Sequence, residues 1–266
     1  MSAVSSWTPI GGTEGNYTPI HHFSGKFDGK GFALKNINWT FDTENGQRVY
    51  GLFGALKDAT VKNLTIGSDT GSDSFVLTGV APAYTTVGSF AGYAENTTIE
   101  NCTNYVNISL SGDVGAGSLA CMGGIVGYMK GGIRKGTSKN SMTSNFGNVV
   151  CGRISNEANG GTGMQVGGIC AFMVKDSDTR LDYCANYGNV SASTGRGGGL
   201  VGTAEAACRI SNSANYGRVE DDVVGKYAGR RQDETYNLKR MGGLAGGLAA
   251  SSTILEYCTN EGDVYT

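Results

Sequence analysis

A bracket of small residues enclosing two apolar ones recurs along this chain. Its copies are Gly51-Leu52-Phe53-Gly54, Ser89-Phe90-Ala91-Gly92, Gly124-Ile125-Val126-Gly127, Gly168-Ile169-Cys170-Ala171, Gly199-Leu200-Val201-Gly202 and Gly243-Leu244-Ala245-Gly246. A second element follows each of the last five. An asparagine stands two residues before a usual glycine and four before an aliphatic, as in Asn104 to Ile108, Asn145 to Val149, Asn186 to Val190, Asn215 to Val219 and Asn260 to Val264. The first copy departs, with Ile66 in the asparagine position. Five residues before that position lie Val61, Ile99, Leu181, Ile210 and Leu255, and three residues later Leu64, Cys102, Cys184, Ser213 and Cys258.

Successive units are 31 to 44 residues long and contain two or more short apolar segments separated by Gly, Asn or Ser. Glycine inside a helix costs about 1 kcal/mol relative to alanine, so segments carrying two or three glycines among β-branched residues read as strands. Equivalent positions that hold similar side chains are what stacked coils require, because each residue packs on its counterpart one rung away. The pattern therefore predicts an all-β parallel β-helix, a β-solenoid, right-handed, of about six repeats. Asparagine tolerates the left-handed conformation, so the asparagine column is expected to mark a corner of each coil, with stacked amides bonding along the axis.

The first 49 residues are decorated differently, and Trp7, Tyr17, Phe23 and Phe27 are aromatic there. Residues 1–49 are expected to be an N-terminal cap and first coil, continuous in one domain with the repeats of 50–266, because solenoid ends need an atypical covering element. The chain stops at Thr266 directly after a repeat strand, which leads to the expectation of a larger native polypeptide.

Composition agrees with a turn-rich fold: 44 glycines against three prolines in 266 residues, with no collagen period. The formal net charge of −2 provides no global field for nucleic acid or an anionic bilayer. No apolar run approaches the roughly 18 residues of a membrane span, so no direct membrane insertion is expected. No signal peptide opens the chain, and a leader removed beforehand is compatible with a surface or extracellular location. Seven cysteines form neither CxxC pairs nor a compact disulfide framework, and Cys102, Cys184 and Cys258 read as members of an interior column.

These residues resemble the GLUG motif, a repeat whose core appears here as Gly199-Leu200-Val201-Gly202, followed by an Asn-Cys-type strand and a Gly-Asn-Val strand. The resemblance runs over roughly residues 50 to 266. The opening Trp7-Thr8-Pro9-Ile10-Gly11 and the stretch from Phe23 to Gly31 are similar to the start of such repeat regions in large surface proteins of gut bacteria. Coil architecture and a cell-surface setting are what the resemblance implies. It implies no catalytic residue.

Candidate chemistry is sparse. His21 and His22 are adjacent, without ligand spacing, and read as a solvated turn; no metal or cofactor is expected. No Gly-x-Ser-x-Gly elbow occurs. Acids lined along one coil face are the enzyme alternative, a polysaccharide lyase or glycoside hydrolase, with Asp176, Asp178, Asp182, Asp221 and Asp222 as weak candidates against a reading as turn acids. Asp28-Gly29 reads as turn chemistry, and no calcium-loop pattern is present. Two insertions, Lys130 to Lys139 and Lys226 to Arg240, are expected to form side loops, and Arg134, Lys135, Tyr227, Arg230, Arg231 and Tyr236 are the ligand-binding candidates there. Arginine beside tyrosine suits anionic or saccharide ligands. The leading expectation is a non-catalytic, cell-surface or secreted module for adhesion to a host protein or polysaccharide, or for spacing another domain.

Overall fold

The computed structural model describes residues 6–12, 21–111, 120–135, 142–151, 164–175, 179–192, 195–220, 240–248 and 252–265. The chain winds as a parallel β-solenoid. One turn consists of the strands Phe53–Lys57, Thr60–Lys62, Thr65–Ile66, Ser74–Thr78 and Thr86–Gly88, after which Ala91–Glu95 lies beside Phe53–Lys57 and begins the next. In this order, the five strand positions define the first to fifth sheets, of six, seven, seven, seven and six strands. Every strand pairing is parallel, and a 3-10 turn at Thr43–Asn45 is the only helical element among the described residues.

Register puts like on like. In the second sheet Val61, Ile99, Leu181, Ile210 and Leu255 occupy one column, as the spacing predicted. The fourth sheet stacks Trp39, Phe75, Ile108, Val149, Val190, Val219 and Val264, so the interior narrows from aromatic to aliphatic along the axis. Burying each such side chain contributes about 1.5–3 kcal/mol, which lets strands of two to five residues persist. Toward the N-terminus, Trp7 stacks on Trp39 at 4.9 Å between ring centroids and donates its indole N–H to the Leu52 carbonyl at 3.1 Å. Phe23 and Phe27 both pack on Phe53, at 5.1 and 5.8 Å.

The asparagine column forms a buried ladder. Asn104, Asn145, Asn186 and Asn215 each donate one Nδ2 hydrogen to the Oδ1 of the next asparagine, ending at Asn260, and all four bonds are 2.8 Å. The other Nδ2 hydrogen goes to the carbonyl two residues on, at Val106, Gly147, Gly188 and Gly217. This satisfaction is required because Asn104, Asn145, Asn186 and Asn215 are fully buried. The bracket glycines lie directly against it. A Cβ on Gly168 would overlap the Asn186 carboxamide, and one on Gly199 would overlap that of Asn215 and the Gly243 carbonyl oxygen. The brackets that begin at Gly124, Gly168, Gly199 and Gly243 are thus re-entrant points where the coil dips inward to touch the amide ladder.

The ladder asparagines do not form the left-handed corner assigned to them. That corner falls instead at Asn63, Asn101, Tyr183, Asn212 and Tyr257, whose φ values lie between 48° and 55°, one residue before the Leu64, Cys102, Cys184, Ser213 and Cys258 column. The ladder positions are instead the last residues of extended strands.

Candidate functional site

The residues singled out from the sequence do not converge. Asp182 lies in the strand Arg180–Asp182, and its Oδ1 accepts bonds from Ser211 Oγ at 3.0 Å and Asn212 Nδ2 at 2.9 Å, so its carboxylate ties two rungs together. Asp176, Asp178, Asp221, Asp222, Tyr227, Arg230, Arg231 and Tyr236 lie outside the described residues. Arg134 and Lys135 belong to the strand Ile133–Lys135 and not to a side loop, which corrects the expectation for that insertion. Register aligns Arg134 with Ile99 and Leu181, and Lys135 with Glu100 and Asp182. In that column Asp28, Lys62 and Glu100 precede Lys135 in register, and the first three alternate in charge, as opposite-charge cross-strand pairs favour.

Other ionisable groups are engaged structurally. Asp73 is the one buried acid among the described residues, and its two oxygens accept from the Ile37 amide, the Ser68 amide at 2.7 Å and the Ser68 hydroxyl at 2.5 Å. Asp28 accepts from Asn63 Nδ2 and from the Lys30 amide, both at 2.9 Å, and these bonds, Asn63's first, hold its carboxyl below the ordinary carboxylate value. Burial pushes the Cys102 thiol up to about 12, against the nucleophilic thiolate that a redox or metal role needs. His21 and His22 are exposed, and no group of three or more His, Cys, Asp or Glu side chains suits a metal ion among the described residues.

The feature that does recur on the outside is aromatic. Immediately after Asn104, Asn145, Asn186 and Asn215 stand Tyr105, Phe146, Tyr187 and Tyr216, and the four rings stack in one row. Centroid separations are 4.8, 4.5 and 4.8 Å, with planes within 18° of parallel. Phe146, Tyr187 and Tyr216 remain about 40% exposed, so the stacked row presents ring edges to solvent. Three residues after the ladder asparagines lies a second row, Asn107, Asn148, Asn189 and Arg218. The Oδ1 of each of these asparagines accepts the backbone N–H of the next member, at 2.9 to 3.1 Å. Among the described residues, the amide nitrogens of Asn148 and Asn189 have no acceptor and face outward as donors. The result is a strip of aromatic edges beside outward amides, repeated at the rung spacing.

Residue type in the asparagine-aromatic-glycine phrase was the available signal for this row. Read along the chain it looks like a turn; only stacking turns it into a surface.

The fold and the strip define a β-solenoid repeat module. A family model described as the GLUG motif matches residues 83–109, which include the bracket Ser89-Phe90-Ala91-Gly92 and the phrase from Asn104 to Ile108. The parallel register carries the same columns through the later coils, beyond the matched segment. No curated protein matches the chain.

Proposed function

We propose that this chain is a non-catalytic binding module, secreted or displayed on a cell surface, and that the aromatic and asparagine strip is its docking face for an extended polysaccharide. The carrying observation is the repetition of one outward pair of groups, ring edge and amide, on successive rungs in register. A site that repeats along an axis suits a ligand that repeats along its own length, because each added unit engages at a high effective concentration. Saccharides combine apolar C–H patches with hydroxyls, which suits aromatic carbon next to amide donors and phenols. Three aromatic contacts within the row also support the stack, by about 0.5–1.5 kcal/mol each. The enzyme alternative draws no support from Asp182, whose Oδ1 is held by Ser211 and Asn212 of the next rung, or from Asp73, whose oxygens are bonded to Ile37 and Ser68.

The test is binding of the parent and of the Tyr187→Ser/Tyr216→Ser variant to an array of polysaccharides and to immobilised mucin, with a reducing-end assay alongside. The expected result is retention by the parent without release of reducing ends, and retention at least about tenfold weaker in the variant while its circular dichroism is unchanged. Equal retention by both proteins, or turnover by the parent, would overturn the proposal.

A further inference from the structure

The first and fifth sheets meet at the re-entrant bracket, and their outward residues line a cleft that runs along the axis. On the fifth sheet the lining reads Val49, Thr86, Cys121, Gln165, Arg196 and Arg240. Facing it on the first sheet are Ala55, Tyr93, Tyr128, Phe172, Thr203 and Gly247. In the early coils the cleft is closed: Val49, Ala55, Tyr93 and Tyr128 form a small apolar cluster separate from the main core. Tyr93, Tyr128 and Phe172 stack through it at 5.5 and 5.6 Å. The filling then changes abruptly. Thr203 and Gly247 replace the rings, and two arginines take over the opposite wall.

Arg196 crosses the space the rings fill elsewhere. A Cβ on Gly247 would stand 2.9 Å from Arg196 Cδ and 3.3 Å from its Nε, so the missing side chain makes room for the arginine stem. One guanidinium nitrogen donates to Thr203 Oγ1 at 3.2 Å, and that hydroxyl donates in turn to Gln165 Oε1. Thr203 and Gln165 are buried, which fixes the direction of the guanidinium. Arg240 stands in register on the next rung, one strand spacing away, about 4.8 Å.

Two guanidinium groups on adjacent rungs repel, and like charges placed directly opposite destabilise a sheet. Elsewhere in this molecule such contacts are neutralised. Lys62 meets Asp28 at 3.5 Å, Glu95 sits between Lys57 at 3.5 Å and Lys130 at 3.3 Å, and Arg209 pairs with Glu256. Arg180, which is in register with Arg209, is engaged too. Among the described residues neither Arg196 nor Arg240 has an acidic partner, and Arg196 is half-buried. Burial first, and the neighbouring Arg240 second, depress the Arg196 guanidinium from its ordinary value.

We propose that Arg196 and Arg240 form an oxyanion-binding site at the C-terminal end of this cleft, with Thr203 and Gln165 as positioning residues. The occupant is a carboxylate, sulfate or phosphate group that lies across both guanidinium groups. An oxyanion supplies a charge that no described acid gives the rung pair, and an oriented arginine fork offers it paired hydrogen bonds. The site lies between the first and fifth sheets and is independent of the aromatic strip at the third and fourth.

The test is a titration of the protein, watched through its arginine Nε–Hε resonances, with sodium glucuronate and with inorganic phosphate, each against sodium chloride at matched ionic strength. Expected is a saturable shift of two arginine resonances with a Kd of about 1 mM or tighter for at least one titrant, and the titrant that saturates names the source of the anion. Arg240→Gln, at an exposed position, is expected to fold normally and to bind about tenfold more weakly. Without anion it is expected to melt at a higher temperature than the parent, because the repulsion is gone. Arg240→Lys retains the charge without the fork and is expected to fall between the two. Absence of saturation with both titrants, or equal affinity in Arg240→Gln, overturns the proposal.

Discussion

Replacing Asn186 by alanine in the middle of the amide ladder removes three buried hydrogen bonds at once. Its Nδ2 gives one hydrogen to Asn215 and one to the Gly188 carbonyl, and its Oδ1 receives one from Asn145, each bond being 2.8 Å long. Neutral hydrogen bonds are worth about 1 kcal/mol each net, and a buried group left without a partner costs about 1–3 kcal/mol. Asn145 Nδ2 and Asn215 Oδ1 are both left short, so the total loss comes to roughly 3–6 kcal/mol. Asn260 offers the internal comparison: it accepts from Asn215 and donates to Gly262, but it is itself exposed, so Asn260→Ala leaves a single buried group, Asn215 Nδ2, short of a partner. About 1–3 kcal/mol is expected there, half or less of the loss at Asn186. Urea denaturation of parent and both variants gives the two differences, and amide hydrogen exchange around residue 186 shows where the loss lies, since stability in a solenoid is shared between neighbouring units. Equal destabilisation by the two substitutions would refute the reasoning, because burial would then carry no weight in the ladder.

Gly199→Ala introduces a methyl group onto the Asn215 carboxamide and the Gly243 carbonyl, and a loss of several kcal/mol with partial unfolding by circular dichroism is expected. Gly71→Ala meets open space, with φ at 71°, so only the backbone strain of about 1 kcal/mol should appear. The Cys102 thiol, pushed up to about 12 from an ordinary value of 9.0, sets a pH dependence. Raised in the folded state, it contributes stability that is whole below pH 9 and is lost as pH rises toward 12, which denaturation midpoints across that window will show. By the same burial, Cys102 should react with a thiol reagent at pH 8 far more slowly in the folded protein than in urea.

Columns were legible in the sequence wherever the spacing between bracket, apolar position and asparagine stayed constant. They failed at the third coil. Five residues before Asn145 stands Asn140, yet register assigns that rung to Arg134, because residues 136–141 intervene before Thr143 takes the place of Cys102 and Cys184. The left-handed corner was misplaced for a related reason. Asparagine serves both as a corner residue, at Asn63, Asn101 and Asn212, and as an interior ladder residue, and residue type alone does not separate the two uses. Tyr183 and Tyr257 hold the same corner without being asparagine, so no spacing rule on asparagine could have found it. The aromatic row and the arginine cleft became visible only with neighbours from adjacent coils, 29 to 44 residues away in the chain, placed side by side.

The amide ladder also has a direction. Each asparagine holds out a hydrogen toward the C-terminal side and waits for an oxygen that the next coil has yet to bring. A chain wound as far as Asn104, Asn145, Asn186 or Asn215 therefore ends in an unmet donor facing the segment that leaves the ribosome next. Winding that starts at Trp7 and proceeds in order of emergence converts each such vacancy into a bond as it goes, whereas winding from the opposite end leaves an unmet acceptor at its growing edge instead.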